Sequence, residues 1–404
     1  MENRLGRYYR SFPRQMWVLV AGTFVNSLGG ALVFPFLTLY LRQRLGISLV
    51  QIGLVFTLNA ATSLVAGMMS GVIADRFGRR SVMLTSLLAT AAVLLLFGIA
   101  ASYSHMILLA AVLGLTGPLF QPARDAMVAD LTRPDQRTEA YSVIRVSSNL
   151  GYAIGPAIGG FLAGVSYLLS FSLAAGASLA FFFVTLVMVR ETLSDSSRGS
   201  AEQSQPIGFG PVFRDTTFML FCGLMILTTM VYAQVSTNLP VYMKETFGLG
   251  ERYFGWVMST NAAMVVALQL GISRTTARWP RLPAMGLGSA LYGVGVGAIA
   301  AMTAFPGFIV CAVIYTLGEM IIAPVGTAFT ADLAPAEMRG RYMGLLGLTW
   351  GVSYGIGPAL GGALYDAGFA QGLWLAAGAL GLAAAGGYLL LQRRIRARAA
   401  VVSD

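Results

Sequence analysis

The sequence predicts an all-α membrane protein with twelve transmembrane helices in two pseudo-symmetric six-helix bundles. Three observations predict it. The 404 residues are 56% hydrophobic and only 11% charged, against about 25% charged in soluble domains, so the chain has too little polar surface to face water. Its apolar residues come in segments of about 20 or more, long enough to cross a ~30 Å hydrocarbon core as helix; SVMLTSLLATAAVLLLFGIA at 81–100 is one such segment. The second half also repeats landmarks of the first in one register. Whole-segment apolarity argues against an outer-membrane barrel, whose strands alternate apolar and polar residues over about ten positions.

The expected spans are 16–41, 49–73, 82–101, 105–129, 140–164 and 167–189, then 216–240, 253–272, 283–303, 307–330, 341–364 and 371–391. They define an N-terminal bundle at 1–189, a linker at 190–214 and a C-terminal bundle at 215–404. ETLSDSSRGSAEQSQPIGFG at 191–210 is polar and rich in Ser and Gly, and reads as flexible. In span one only Asn26 and Ser27 interrupt VAGTFVNSLGGALVFPF. Phe34-Pro35 falls near the outer end of that span and Leu239-Pro240 near that of span seven; each proline either bends its helix or ends it. Cys222 and Cys311 lie in apolar segments and read as small buried hydrophobes, without disulfide or metal spacing. His105, the one histidine, has no assigned role. Nothing here builds an enzyme site, so no enzyme activity, cofactor or metal is expected.

The net charge of +10 is organised by loop. With twelve spans both termini share a side. Arg4, Arg7, Arg10, Arg14, Arg76, Arg79, Arg80, Arg133, Arg137, Arg190, Arg198, Arg214, Arg274, Arg278, Arg281, Arg339, Arg341 and the tail arginines 393, 394, 396 and 398 fall on it. The opposite loops offer Arg42, Arg44, Lys244 and Arg252. Basic loops stay in the cytoplasm. Both termini and the linker are therefore expected to be cytoplasmic, in a multi-pass protein of the inner (plasma) membrane. The charge reads as a topology signal, not a nucleic-acid surface. The N-terminal stretch MENRLGRYYRSFPRQMW has no A-x-A-like cleavage site and reads as a retained tail.

PARDAMVADLTRPDQRTEAYSV at 122–143 matches PVGTAFTADLAPAEMRGRYMGL at 324–345 at one constant offset. Pro122 meets Pro324, Ala129-Asp130-Leu131 meets Ala331-Asp332-Leu333, and Arg137 meets Arg339. GYAIGPAIGG at 151–160 meets VSYGIGPALGG at 352–362 in the same register. Parallel repeats of six spans suggest two bundles that rock about a site near the membrane midplane.

GVIADRFGRR at 71–80 resembles the signature loop of the major facilitator superfamily, and NLGYAIGPAIGG at 149–160 resembles the fifth-helix motif of its drug/proton antiporters. The resemblance covers essentially the whole chain. In the first motif Gly71 would allow close helix approach and Gly78 a tight turn. The resemblance implies that Asp75 contacts the second bundle near the start of the eleventh helix, and that a loop arginine pairs with the acid at Asp130. A latch of Gly71, Asp75, Arg76, Gly78, Arg79, Arg80 and Asp130 is therefore expected, with ordinary loop charges as the alternative. The matching loop of the second half, GISRTTARWPRL, lacks the acid and the Gly-Arg-Arg, which puts a second copy in doubt. In the fifth-helix motif Gly151, Gly155, Gly159 and Gly160 surround Pro156 at small-xxx-small spacing. The implied role is a tight seal; generic close packing fits as well.

YTLGEMIIAP at 315–324 places Glu319 in the middle of an apolar run. An ionised acid near the bilayer centre costs roughly 2.5–3.5 kcal/mol on insertion scales. Such a group normally faces the interior and binds a proton or a cation, with its charge changing as water reaches it. The segment is similar to the tenth helix of proton-driven multidrug facilitators, in which the matching acid serves proton coupling, so Glu319 is the expected protonation site. Arg145 either snorkels to the cytoplasm or lines the cavity. Spans one and seven lack the acids of the multidrug pattern. The expected cavity lining is Asn26, Phe34, Arg145, Asn149, Tyr152, Tyr232, Gln234, Asn261, Tyr315, Trp350 and Tyr354, a mixture suited to flat lipophilic molecules. The function read from these features is proton-coupled export of small lipophilic compounds by a monomer in contact with lipid. A transporter of a specific metabolite, an anion among the options through Arg145, is the rival; a lipid scramblase fits less well.

Overall fold

The computed structural model describes residues 12–133, 136–193, 210–335 and 338–403. Arg4, Arg7 and Arg10 of the basic tail, and most of the linker with Arg198, lie outside the described residues. Every regular element among the described residues is helical. In chain order they are α1 (Arg14–Val33), α2 (Leu37–Leu45), α3 (Leu49–Phe77), α4 (Arg79–Ile99), α5 (Tyr103–Thr116), α6 (Phe120–Leu131), α7 (Arg137–Val165) and α8 (Tyr167–Met188). Then follow α9 (Gly210–Arg214), α10 (Thr216–Thr237), α11 (Leu239–Phe247), α12 (Glu251–Thr276), α13 (Arg281–Gly297), α14 (Phe305–Leu333), α15 (Arg339–Asp366) and α16 (Ala370–Ser403).

Proline sets several of the breaks. Pro35 sits in a 3-10 turn, Phe34–Phe36, between α1 and α2. Pro118 does the same in Gly117–Leu119, between α5 and α6. Pro240 opens α11 directly after α10. A proline lacks the N–H that the preceding turn would accept, so the regular ladder is interrupted and helix resumes after it. Phe34-Pro35 and Leu239-Pro240 thus interrupt their helices, and helix resumes beyond each.

Ten helical stretches among the described residues are long and apolar enough to cross a membrane. The expected fifth and eleventh spans, α7 and α15, are 29 and 28 residues long but do not join that set. Both open on arginine and carry glycine and polar residues along their length.

The described chain divides into two units. The first holds residues up to Phe36 and those from Leu58 through the first half; the second holds Leu37–Thr57 and the second half. In the first unit α7 lies on α1 through its glycines. A Cβ on Gly151 would stand 2.8 Å from Leu28 N and from Phe24 O, and one on Gly159 would stand 2.6 Å from Leu32 O. Ser147 Oγ donates to Val20 O at 2.6 Å, and Ser27 and Ser148 share a hydrogen bond of 3.0 Å. Small residues and hydroxyls do this work in lipid because hydrocarbon offers helices no hydrophobic drive to associate.

The second unit repeats the arrangement with α15 on α10. Gly357 and Gly361 of α15 face Gln234, whose Nε2 donates to Gly357 O at 2.8 Å. Thr229 and Ser353 bond at 2.6 Å. Segment 37–57 is fastened into this unit by charge. Arg42 Nε donates to Glu245 Oε1 at 2.8 Å, Arg42 Nη1 lies 3.6 Å from Asp366 Oδ1, and Val50 N donates to Asp366 Oδ2 at 3.0 Å. Gly53 packs against the backbone of Ala359, and Thr57 Oγ1 donates to Gly355 O.

Candidate functional site

Glu319 lies midway along α14, one turn beyond Tyr315 and Thr316. Asn261 of α12 donates through Nδ2 to Glu319 Oε2 at 2.6 Å and to Thr316 Oγ1 at 2.9 Å. Among the described residues no lysine or arginine pairs with Glu319. The acid is therefore held by a neutral amide. A neutral holder leaves the acid free to change charge, whereas a fixed counterion would lock it ionised.

An aromatic cluster surrounds this part of the second unit. Tyr232 stacks on Tyr292 with ring centres 5.6 Å apart and meets Tyr315 and Trp350 edge-on at 6.2 and 6.3 Å. Trp350 stacks on Tyr354 at 6.3 Å, and the Tyr354 hydroxyl bonds Ser236 at 3.0 Å. The Tyr315 hydroxyl is buried without a hydrogen-bond partner among the described residues. Faces and edges of this kind accept flat apolar or cationic groups.

At the other motif, Gly78 takes φ +90°, which its lack of a Cβ permits, and α4 begins on Arg79. Arg79 forms an ion pair with Asp130, which also accepts from Thr192 Oγ1 at 2.7 Å. Glu191 accepts from the backbone N–H groups of Arg79 and Arg80 at 3.2 and 3.0 Å, placing an anion on the amides that open α4. Arg80 Nη2 donates to Leu186 O at 2.6 Å. Asp75 makes no hydrogen bond or ion pair among the described residues, and a Cβ on Gly71 would meet nothing within 4 Å. Among the described residues the bonded cluster is Arg79–Asp130 with Glu191. Arg76 lies over Phe77, 5.6 Å from the ring centre.

The second half carries its own version of the pair. Arg281 Nε lies 3.2 Å from Asp332 Oδ2, at the positions that the sequence repeat matches to Arg79 and Asp130. The loop's lost Gly-Arg-Arg had hidden it.

Comparison with known proteins decides the family. The model of the Major Facilitator Superfamily matches residues 19–251 and 235–402. The chain belongs to the major facilitator superfamily. It is a transporter of that fold and not an enzyme. The multidrug resistance protein MdtH of Aeromonas hydrophila is 28% identical over 376 residues, covering 91% of this chain and 92% of its own. A Na(+), Li(+), K(+)/H(+) antiporter of Planococcus maritimus is 26% identical over 380 residues, covering 86% and 89%. The crystal structure of peptide transporter POT in complex with sulfate is 18% identical, with a TM-score of 0.78 over 95% of each chain.

Within this facilitator the residues expected to line a cavity fall into separate places. Tyr232, Asn261, Tyr315, Trp350 and Tyr354 gather with Glu319 in the second unit. Gln234 is buried and its amide is committed to Gly357 O and to Asn238. Asn26 and Tyr152 line a pocket of the first unit. Arg145 and Asn149 are exposed on α7 with no hydrogen bond among the described residues, and Phe34 is exposed. Pro156 and Gly160 are buried within α7. Tyr292, Thr316, Ser236 and Glu191 had no sequence signal beyond being polar groups beside apolar or linker stretches.

Proposed function

We propose that this facilitator is a proton-coupled secondary transporter that exports small lipophilic compounds by alternating access, with Glu319 as its protonation site. Twelve spans, both termini in the cytoplasm and a location in the inner membrane belong to the same proposal. The observation that carries it is the neutral setting of Glu319: a membrane-depth acid bonded to Asn261 and placed among Tyr232, Tyr315 and Trp350. In this reading a protonated Glu319 leaves the site uncharged and suited to an apolar solute. Loss of the proton recharges it when water arrives. One charge moving through 100 mV supplies about 2.3 kcal/mol, more than the ~1.4 kcal/mol of a tenfold solute gradient. The names of two relatives, a multidrug resistance protein and a cation/H⁺ antiporter, agree with export and with proton exchange. Efflux from proteoliposomes under an imposed pH gradient, comparing the native protein with Glu319→Gln, tests it.

A second reading, transport of a specific anionic metabolite, is favoured by Arg145, which is exposed on α7 without a partner among the described residues. Uptake by inverted vesicles, comparing dye-like cations with organic acids, separates the two readings.

A further inference from the structure

The first unit contains a pocket of about 270 Å³, a little under the ~300–1,000 Å³ of whole drug-sized sites. Its lining holds a single charged residue, Arg124. That arginine is 7% exposed and lies 5.7 Å from the centre of the Phe120 ring. Its Nε and Nη2 both donate to one oxygen of Asp125, at 2.9 and 2.7 Å, and Nη1 makes no hydrogen bond among the described residues. Thr23, 2% exposed, lines the same pocket, and its hydroxyl has no partner among the described residues. Asn26 accepts from Ser178 through Oδ1 at 3.2 Å, which leaves its Nδ2 to donate. Thr90 and Gln121 add a hydroxyl and an amide. The buried Thr23 hydroxyl, without a partner among the described residues, carries a desolvation cost that a ligand acceptor relieves.

The internal repeat explains why a pocket is here. Helices α3 and α12, α4 and α13, and α7 and α15 start in the repeat's register. In that register Gly117 occupies the place of Glu319 and Thr90 that of Tyr292. Gly117 and Thr90 both line the pocket. Where the second unit is filled by a carboxylate and a phenol, the first is hollow, and Arg124 supplies the charge instead.

We propose that this pocket is a subsite for the anionic head group of the transported solute, a carboxylate, held by Arg124, Thr23 and Asn26. A guanidinium edge with flanking hydroxyl and amide donors matches carboxylate geometry. Asp125 competes for the same guanidinium in the absence of solute. The inference rests on the second, anionic-solute reading above and adds the group that holds one end of that solute, making it an amphipathic monoanion.

The test is the thermal shift of the purified full-length protein with three isosteric probes, benzoate, benzamide and benzylamine, at neutral pH and without a gradient. Benzoate is expected to act at a concentration at least about tenfold lower than benzamide, as a charged hydrogen-bonded pair implies, and benzylamine to be no better than benzamide. Arg124→Gln should reduce that preference to near unity. Asp125→Asn, which removes the competing carboxylate, should widen it. No benzoate preference in the native protein, or a preference that survives Arg124→Gln, overturns the proposal. If Arg124→Gln fails to fold, Asp125→Asn decides: a wider preference supports the subsite and an unchanged one overturns it. The shift is read in the native protein without a gradient, so a failure of proton coupling is read separately from a failure of this subsite.

Discussion

Arg281 and Asp332 pair at 3.2 Å in the second unit, in the register that places Arg79 and Asp130 together in the first. Each pair ties the start of one helix, α4 or α13, to the far end of another, α6 or α14. The two differ in setting. The side chains of Arg79 and Asp130 are 14% and 31% exposed, those of Arg281 and Asp332 are 32% and 60%. Burial lowers the local dielectric and raises what a charged contact is worth.

The pairs should therefore differ in stability. Arg79→Ala is expected to destabilise the purified protein by about 1–3 kcal/mol, the range for losing hydrogen bonds to a charged group. Arg281→Ala should cost no more than about 1 kcal/mol, as for exposed ion pairs. Melting temperatures in detergent read both; equal shifts would mean that the difference in burial is immaterial.

The glycine contacts of α7 and α15 set a second expectation. Gly155 faces Ala31 and Gly361 faces the Gln234 amide with no room for a Cβ, whereas a Cβ on Gly176 of α8 would meet nothing within 4 Å. Gly155→Val and Gly361→Val should each destabilise by roughly 1–3 kcal/mol through overpacking. Gly176→Ala should be neutral within about 0.5 kcal/mol. Thermal melts of the three variants check the contrast, and a Gly155→Val protein as stable as Gly176→Ala would refute the close α1–α7 contact.

Segment 37–57 is held in the second unit by Arg42, whose guanidinium meets both Glu245 and Asp366. Removing the two acids together, Glu245→Ala with Asp366→Ala, should speed amide hydrogen exchange across Leu37–Leu45 by several-fold, from about 0.2–1 kcal/mol per pair. Raising salt should reproduce part of the effect in the native protein. Exchange that is indifferent to both changes would place the hold elsewhere, in the contacts of Gly53 and Thr57.

Asn261 and Asn59 occupy matching positions of the repeat with different partners. Asn261 donates to Glu319, whereas Asn59 donates to the carbonyl of Ala110 at 3.0 Å. Asn261→Leu should slow gradient-driven transport by roughly tenfold or more, given the ~1.5–3 kcal/mol of a charged hydrogen bond. Asn59→Leu should leave the rate per folded protein near native. Rates in proteoliposomes, normalised to folded protein, distinguish them.

Much of this was legible in the chain. Segment length and apolarity marked the helices, and the resemblance of GVIADRFGRR to the family's signature loop implied the pairing of a loop arginine with Asp130. The rest depends on contacts distant in sequence. Glu191 sits in a stretch that reads as flexible linker, and nothing local says that it will cap α4. Arg281 lay in a loop stripped of its motif neighbours, so its pairing with Asp332 was legible only through the register of the repeat. Gln234 shows the limit from the other side: an amide in an apolar helix can turn to a cavity or to a neighbouring carbonyl, and packing against Gly357 chose the carbonyl. Arg124 reads locally as half of an ion pair with Asp125, and only the fold brings it to the pocket that Gly117 and Thr90 also line.

The most direct measurement is movement of ethidium in proteoliposomes under an imposed pH gradient, for the native protein and Glu319→Gln. The account predicts that the native protein accumulates solute against its gradient. The variant should lose at least about tenfold of that accumulation while still exchanging solute down a gradient. Accumulation by Glu319→Gln equal to that of the native protein would contradict it.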